Sequence, residues 1–222
     1  MPILSKLPSW VWGGAFVLAL VAGCVNVTCI LAARQTVSHM TGNNSEAAIQ
    51  VVHGDMGQAL ALAGVIGSFL AGAVVSGYIV RDNTLKLGRR YGVALFIETI
   101  VLLCAMILLR KKQMIGINLA ALACGLQNAM VSTYSGAIIR TTHLTGIFTD
   151  LGVLIGQRLG GLPVDGRRVK LFLLIIAGFV CGGMVGAAGF ELFGVNILLL
   201  PVTLTAGAAV CYAWLRRRSA LS

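Results

Sequence analysis

The chain has 222 residues, 58% of them hydrophobic and 11% charged, with a formal net charge of +10. Its mean hydropathy is +0.91, whereas a typical globular domain has about 45–50% apolar and about 25% charged residues. A soluble fold of this size could not hide so much apolar surface, which excludes a secreted domain, a cytosolic enzyme and a disordered protein and makes the lipid bilayer the first partner.

The charge comes from 17 Lys and Arg against 7 Asp and Glu. Basic residues gather in cytoplasmic loops and beside anionic lipid. No basic stripe is interleaved with aromatics, so no nucleic acid is expected. Cys24, Cys29, Cys104, Cys124, Cys181 and Cys211 all lie in apolar runs without a C-x-x-C pair, so neither disulfides nor a metal site is expected.

Six stretches reach the roughly 20 apolar residues that a crossing helix needs. In chain order they are about Trp10 to Ala33, Ala59 to Val80, Tyr91 to Leu109, Ile115 to Ile139, Leu171 to Phe190 and Val195 to Leu215. Backbone in hydrocarbon must be satisfied internally, so the expected class is an all-α polytopic membrane protein in one membrane domain, 1–222. The positive-inside rule sets the orientation. Thirteen basic residues, among them Lys6, Arg81, Lys86, Arg90, Arg168 and Arg217, fall on one side. Only Arg34, Arg110, Lys111 and Lys112 fall on the other. Both termini are therefore expected in the cytoplasm. Leu20 to Cys24 has the look of a lipoprotein cleavage box, but the apolar run continues through Leu31. Cleavage is not expected.

Self-comparison finds an internal repeat. Ser38-His39-Met40-Thr41-Gly42-Asn43-Asn44-Ser45-Glu46 matches Thr142-His143-Leu144-Thr145-Gly146-Ile147-Phe148-Thr149-Asp150 at a constant offset of 104. Upstream, Gly23 and Asn26 match Gly125 and Asn128. Downstream, Ala63-Gly64 and Gly72-Ala73 match Ala177-Gly178 and Gly186-Ala187. Repeat A covers about 10–109 and repeat B about 115–215. Three crossings per copy make the second copy enter from the opposite face, so a 3+3 inverted repeat is expected. In secondary transporters built this way, solute sits between the repeats near the midplane.

The blocks Gly125-Leu126-Gln127-Asn128, Arg140-Thr141-Thr142-His143-Leu144-Thr145-Gly146, Thr149-Asp150-Leu151-Gly152 and Met40-Thr41-Gly42-Asn43 carry a resemblance. With them, from about residue 12 to 215, the chain resembles the YoaK-like family of small bacterial integral membrane proteins, defined as a domain of unknown function. The resemblance implies a polytopic inner-membrane protein of about six spans and brings no activity with it.

The candidate residues follow from the repeat. Gly42 and Gly146 permit unusual backbone, and Thr41, Ser45, Thr145 and Thr149 are natural caps for a helix just beyond. Glu46 and Asp150 would then sit in first turns. The motifs read either as ordinary helix caps or as broken helices that line a cavity. The equivalent His39 and His143 could relay protons or sit at the interface bonded to backbone. Asn26, Gln127 and Asn128 are intramembrane amides, suited to solute contact or to holding helices together. Glu98 lies mid-span, protonated or paired, and an acid at that depth is a functional candidate. Glycines in the second and fifth spans, including the G-x-x-x-G of Gly182 and Gly186, suit close helix packing, a sliding surface or a homodimer face. Thr149 to Gly160, and more weakly Ile49 to Leu60, read as amphipathic stretches that lie on the membrane or re-enter it.

These features combine into an expected transporter or channel for a small solute. Asn26, Thr41, Gly42, Gln127, Asn128, Thr145 and Gly146 frame its site. His39, His143, Glu98, Glu46 and Asp150 are candidates for proton coupling. Neither enzyme activity nor a cofactor is expected, because no phosphate loop, metal cluster or grouped catalytic residues occur; Tyr134-Ser135-Gly136 lacks partners for a protease. The alternative is a membrane scaffold that packs through its glycine faces.

Overall fold

In this computed structural model the described residues are 9–80, 89–135 and 140–219, and they are almost entirely helical. In chain order the helices are α1 (Ser9–Ala33), α2 (Met40–His53), α3 (Met56–Ile79), α4 (Arg89–Arg110), α5 (Ile115–Ser135), α6 (Leu144–Leu159), α7 (Gly166–Phe193) and α8 (Leu199–Ser219). Lys6, Arg81 and Lys86, with the Gly136–Ile139 end of the expected fourth span, lie outside the described residues.

Among the described residues, five helical runs are long and apolar enough to cross a membrane: Trp10–Ala33, Met56–Ile79, Arg90–Arg110, Ile115–Thr133 and Gly166–Leu215. The last run has 50 residues, more than twice what one crossing needs. It contains both the fifth and sixth expected spans, without a loop between them. A 3-10 turn at Gly194–Leu198 separates α7 from α8. Gly194 there takes φ +57°, a conformation open mainly to glycine.

The glycine contacts give the helix directions. A β-carbon at Gly178, Gly182 or Gly186 of α7 would meet the carbonyl of Phe16, Leu20 or Cys24 of α1. The two number series rise together, so α1 and α7 are parallel. Along α3, Gly64 lies against Asn118 and Gly72 against Leu122 and Leu126, so α3 and α5 are parallel too. Gly116 packs on Ala105 and Leu109, which makes α5 antiparallel to α4. Tyr91 and Thr99 face Tyr212 and Thr205 respectively, so α8 is antiparallel to α4. Trp10 of α1 meets Tyr212, while the 3-10 turn lies against α1 and its Leu198 shares a cluster with Val25 and Cys29. Hence α8 is also antiparallel to α1, and α7 and α8 run in opposite directions.

The close contacts of the two parallel pairs correspond. Gly23 sits on the Phe179 carbonyl and Gly125 on that of Phe69, while Gly182 sits on Leu20 and Gly72 on Leu122. Contacts therefore pair Gly72 with Gly182 and Phe69 with Phe179, one turn earlier than the sequence match of Gly72 with Gly186. The amphipathic reading of Ile49 to Leu60 does not survive as one element: α2 stops at Gly54, which takes φ +79°, and Asp55 then caps α3 by accepting a hydrogen bond from the Gln58 amide at 2.9 Å.

Two apolar clusters fill the bundle. One joins the N-terminal half of α1 to α6 and to the start of α7; the other joins the C-terminal half of α1 to α4, α5 and the start of α8. Outward faces stay apolar as well, with Leu70, Val74, Val180 and Met184 all exposed. A contiguous apolar exterior on helices of this length fits lipid rather than water.

Candidate functional site

The connection from α1 to α2 does not stay at the end of the bundle. Val37 and Ser38 donate their backbone N–H groups to Asn26 Oδ1 at 3.1 and 3.2 Å. Asn26 lies about 10 Å short of the end of α1, at roughly 1.5 Å rise per residue. The loop therefore turns back into the bundle, and α2 begins inside it. Asn43, which is buried, fixes the same loop. Its Nδ2 donates to the Thr36 carbonyl at 3.0 Å, and its Oδ1 accepts from Gln35 Nε2 at 3.1 Å and from Thr36 Oγ1 at 2.5 Å.

The second connection repeats the device with other residues. Gln127 Nε2 donates to Thr141 Oγ1 at 2.9 Å and to the Leu18 carbonyl at 2.9 Å. Gln127 and Thr141 are both fully buried. Gln127 lies about 12 Å before Ser135, the last described residue of α5, so Thr141 reaches back into the bundle. Ile147, Leu151 and Leu154 then seat α6 in the core. Asn43 and Ile147 occupy matching positions, which makes the first re-entrant segment a polar clamp and the second an apolar one. Because α1 and α5 are antiparallel, the two loops enter from opposite ends.

The Thr-Gly motifs work differently from the sequence expectation. Helices α2 and α6 start one residue before Thr41 and Thr145, with His39 and His143 in the cap positions and no side-chain cap bond. Thr41 and Thr145 are therefore first-turn residues, both exposed. Ser45 and Thr149 donate to the Thr41 and Thr145 carbonyls at 3.1 and 3.0 Å instead of capping. Glu46 and Asp150 stand in second turns. Gly42 and Gly146 have ordinary helical backbone; only Gly54, Gly161 and Gly194 take positive φ among the described glycines. Their requirement is space, because a β-carbon on Gly42 would strike the His39 ring and one on Gly146 the His143 ring. Each histidine thus folds over the first turn of its own helix with an exposed imidazole.

The remaining candidates are scattered. Glu98 is 1% exposed, and its Oε2 has no hydrogen-bond partner. Beside it, Thr99 Oγ1 donates to the Leu95 carbonyl or to Thr205 Oγ1, both at 2.9 Å. Asn128 has a buried Oδ1 without a partner, whereas its counterpart Asn26 is satisfied. Glu46 is exposed and accepts from Gln50 at 2.6 Å. Asp150 pairs with Arg168 at 3.0 Å, and the Arg168 guanidinium lies 5.2 Å from the Phe172 ring centroid.

So the structure joins Asn26 to Val37 and Ser38, and Gln127 to Thr141. It does not bring the two Thr-Gly motifs into contact, since α2 packs on α3 and α6 on α7. Thr141, Asn43 and the Thr99–Thr205 pair are the polar contacts that sequence reasoning passed over. Their signals were present: Thr141 stands in the quoted second block, and the two threonines are 106 residues apart, close to the repeat offset. Among the described residues no group of three or more His, Cys, Asp or Glu side chains could hold a metal ion. The Asp150–Arg168 pair is half exposed, so Asp150→Asn should cost less than about 1 kcal/mol. Thermal melts of the purified variant would check that small effect.

A bundle of long apolar helices with apolar outer faces and polar loops that re-enter it defines a multi-pass integral membrane protein. The chain belongs to a family described as protein of unknown function, DUF1275, whose model matches residues 14–211. Comparison with curated proteins and with solved structures gives no match.

Proposed function

We propose that this protein is a transporter or channel for a small solute, of YoaK-like kind, built from two inverted repeats and embedded in a bacterial inner membrane with both termini in the cytoplasm. In this reading α1–α4 and α5–α8 are the repeats, and Gly166–Leu215 supplies two of six crossings. The observation that carries it is the pair of re-entrant segments, one from each end, each held inside by a buried amide. Irregular backbone at membrane depth is tolerated where protein buries it or where it lines a solute path. The corresponding glycine contacts of α1 with α7 and α3 with α5 support the approximate twofold relation.

Thr99 and Thr205 would stand at the axis, with Glu98 beside them as the candidate proton carrier. Asn128, with an unsatisfied carbonyl oxygen, is the amide free to meet solute, while Asn26 is committed to its loop. His39 and His143 would stand at the two mouths, each over its glycine. For the scaffold reading, Gly72, Gly178, Gly182 and Gly186 are occupied by backbone contacts within the chain, which leaves Gly67 and Gly77 as the open glycines of those faces.

The test has two stages. A stability screen of purified protein against anions, cations, amines and carboxylates identifies a ligand, since a binder of the native state raises apparent stability by mass action. Flux of that ligand is then followed in reconstituted vesicles. Asn128→Ala and Thr145→Val are expected to cut flux at least about tenfold, equivalent to about 1.4 kcal/mol, with insertion intact. Undiminished flux in both variants would remove the site.

A further inference from the structure

The three helix ends at the N-terminal end of α1 form a feature that the transport reading does not use. A cleft of about 400 Å³ runs between α1, α4 and α8, lined by Gly13, Gly14, Leu18, Leu95, Gly207 and Leu215 among others. A smaller, wholly apolar cavity continues it toward Tyr91 and Met130. Gly13 and Gly207 are exposed, with nothing within 4 Å of where a β-carbon would stand, so the cleft opens sideways between α1 and α8. It extends about 12 Å along α1, from Trp10 to Leu18. At its mouth Tyr212 is 6.1 Å from both Trp10 and Tyr91, centroid to centroid. Aromatic side chains with one polar edge suit the boundary between hydrocarbon and headgroups.

The rim of this mouth is cationic. Arg90 stands in the first turn of α4 next to Tyr91, and Arg217 follows Leu215 in the last turn of α8. Arg90 and Arg217 are exposed. An apolar trough that ends in an aromatic collar, with Arg90 one residue from Tyr91 and Arg217 two residues beyond Leu215, matches a molecule with a long alkyl chain and an anionic head.

We propose that this cleft is a binding site for one anionic phospholipid, with an acyl chain between α1 and α8 and the phosphate at the Arg90 and Arg217 rim. The lipid would fill the open space beside Gly13, Gly14 and Gly207 and add to the Trp10–Tyr212 contact between α1 and α8. Guanidinium groups suit phosphate because their paired N–H donors match its oxygens.

The experiment uses the full chain purified in detergent, with thermal stability and native mass spectrometry as readouts. Phosphatidylglycerol and phosphatidylcholine of identical acyl chains are titrated in parallel, with glycerol phosphate as the headgroup-only control. Phosphatidylglycerol is expected to remain bound and to raise stability, with about tenfold preference over phosphatidylcholine. Arg90→Gln with Arg217→Gln should bring that preference to within about twofold while acyl binding persists. Gly207→Leu and Gly14→Leu, made separately in case one fails to fold, should abolish retention of both lipids. Equal retention of the two lipids by the unmodified protein overturns the proposal. So does stabilisation by glycerol phosphate as large as by the lipid, which would assign the rim to a soluble phosphate. A shift from dimer to monomer on Gly207→Leu also overturns it, because the cleft would then seat a second copy.

Discussion

Replacing Gly182 with alanine should leave little folded protein, although alanine is a better helix former than glycine by about 1 kcal/mol. The reason is distance. A β-carbon at Gly182 would lie on the Leu20 carbonyl, and both atoms belong to helix backbones that cannot rotate aside. The helices must separate, and overpacking of this kind costs about 3 kcal/mol or more. Gly125→Ala should cost a similar amount, because its β-carbon would meet the Phe69 carbonyl in the same way. Gly67→Ala is the internal control: nothing lies within 4 Å of that position, and the substitution should be neutral or stabilising. Denaturation in detergent or unfolding in bilayers would measure all three. Equal effects at Gly67 and Gly182 would mean that helix propensity, and not contact between backbones, governs these sites.

The second large effect belongs to the re-entrant loops. Asn26→Ala removes the acceptor for the Val37 and Ser38 amides, and each amide left unsatisfied inside the bundle costs about 1–3 kcal/mol. The loop should leave the interior rather than remain unpaired there. A cysteine placed at Val37, which is fully buried, reports the outcome. It should resist a water-soluble maleimide in the native background and react when Asn26 is alanine, with Cys104, Cys181 and Cys211 replaced beforehand because they are exposed. Gln127→Leu should release the second loop likewise, through loss of the bonds to Thr141 and Leu18. Slow labelling in the Asn26→Ala variant would show that apolar packing alone holds the first loop.

The same residues show how far the sequence could be read. Asn26, Gln127 and Asn128 stand out because amides are rare in lipid-spanning runs, and the offset of His39-x-x-Gly42 from His143-x-x-Gly146 is visible by self-comparison. Their roles were less legible. Asn26 and Asn128 occupy matching positions, yet one is saturated by its loop and the other has a bare oxygen; that difference depends on the path of the chain eleven residues away. Gly42 and Gly146 invited an argument from backbone freedom, but what matters is a histidine ring three residues earlier, whose direction no spacing rule states. Even the repeat register between α3 and α7 slips by a turn when it is read from glycine identity alone, because each helix offers several glycines within a few turns, Gly64 to Gly77 in α3 and Gly178 to Gly189 in α7.

Hydrophobicity, and the length over which it persists, determined from the sequence alone that this is an all-helical protein of a lipid environment, because the bilayer imposes a one-dimensional constraint on each segment separately. Which helices touch was a different matter. The parallel pairing of α1 with α7 and α3 with α5, the return of two loops into the interior, and the open cleft beside α8 arise from contacts between residues far apart in the chain. Those contacts depend on side-chain direction and backbone approach in three dimensions, and only the tertiary structure decided them.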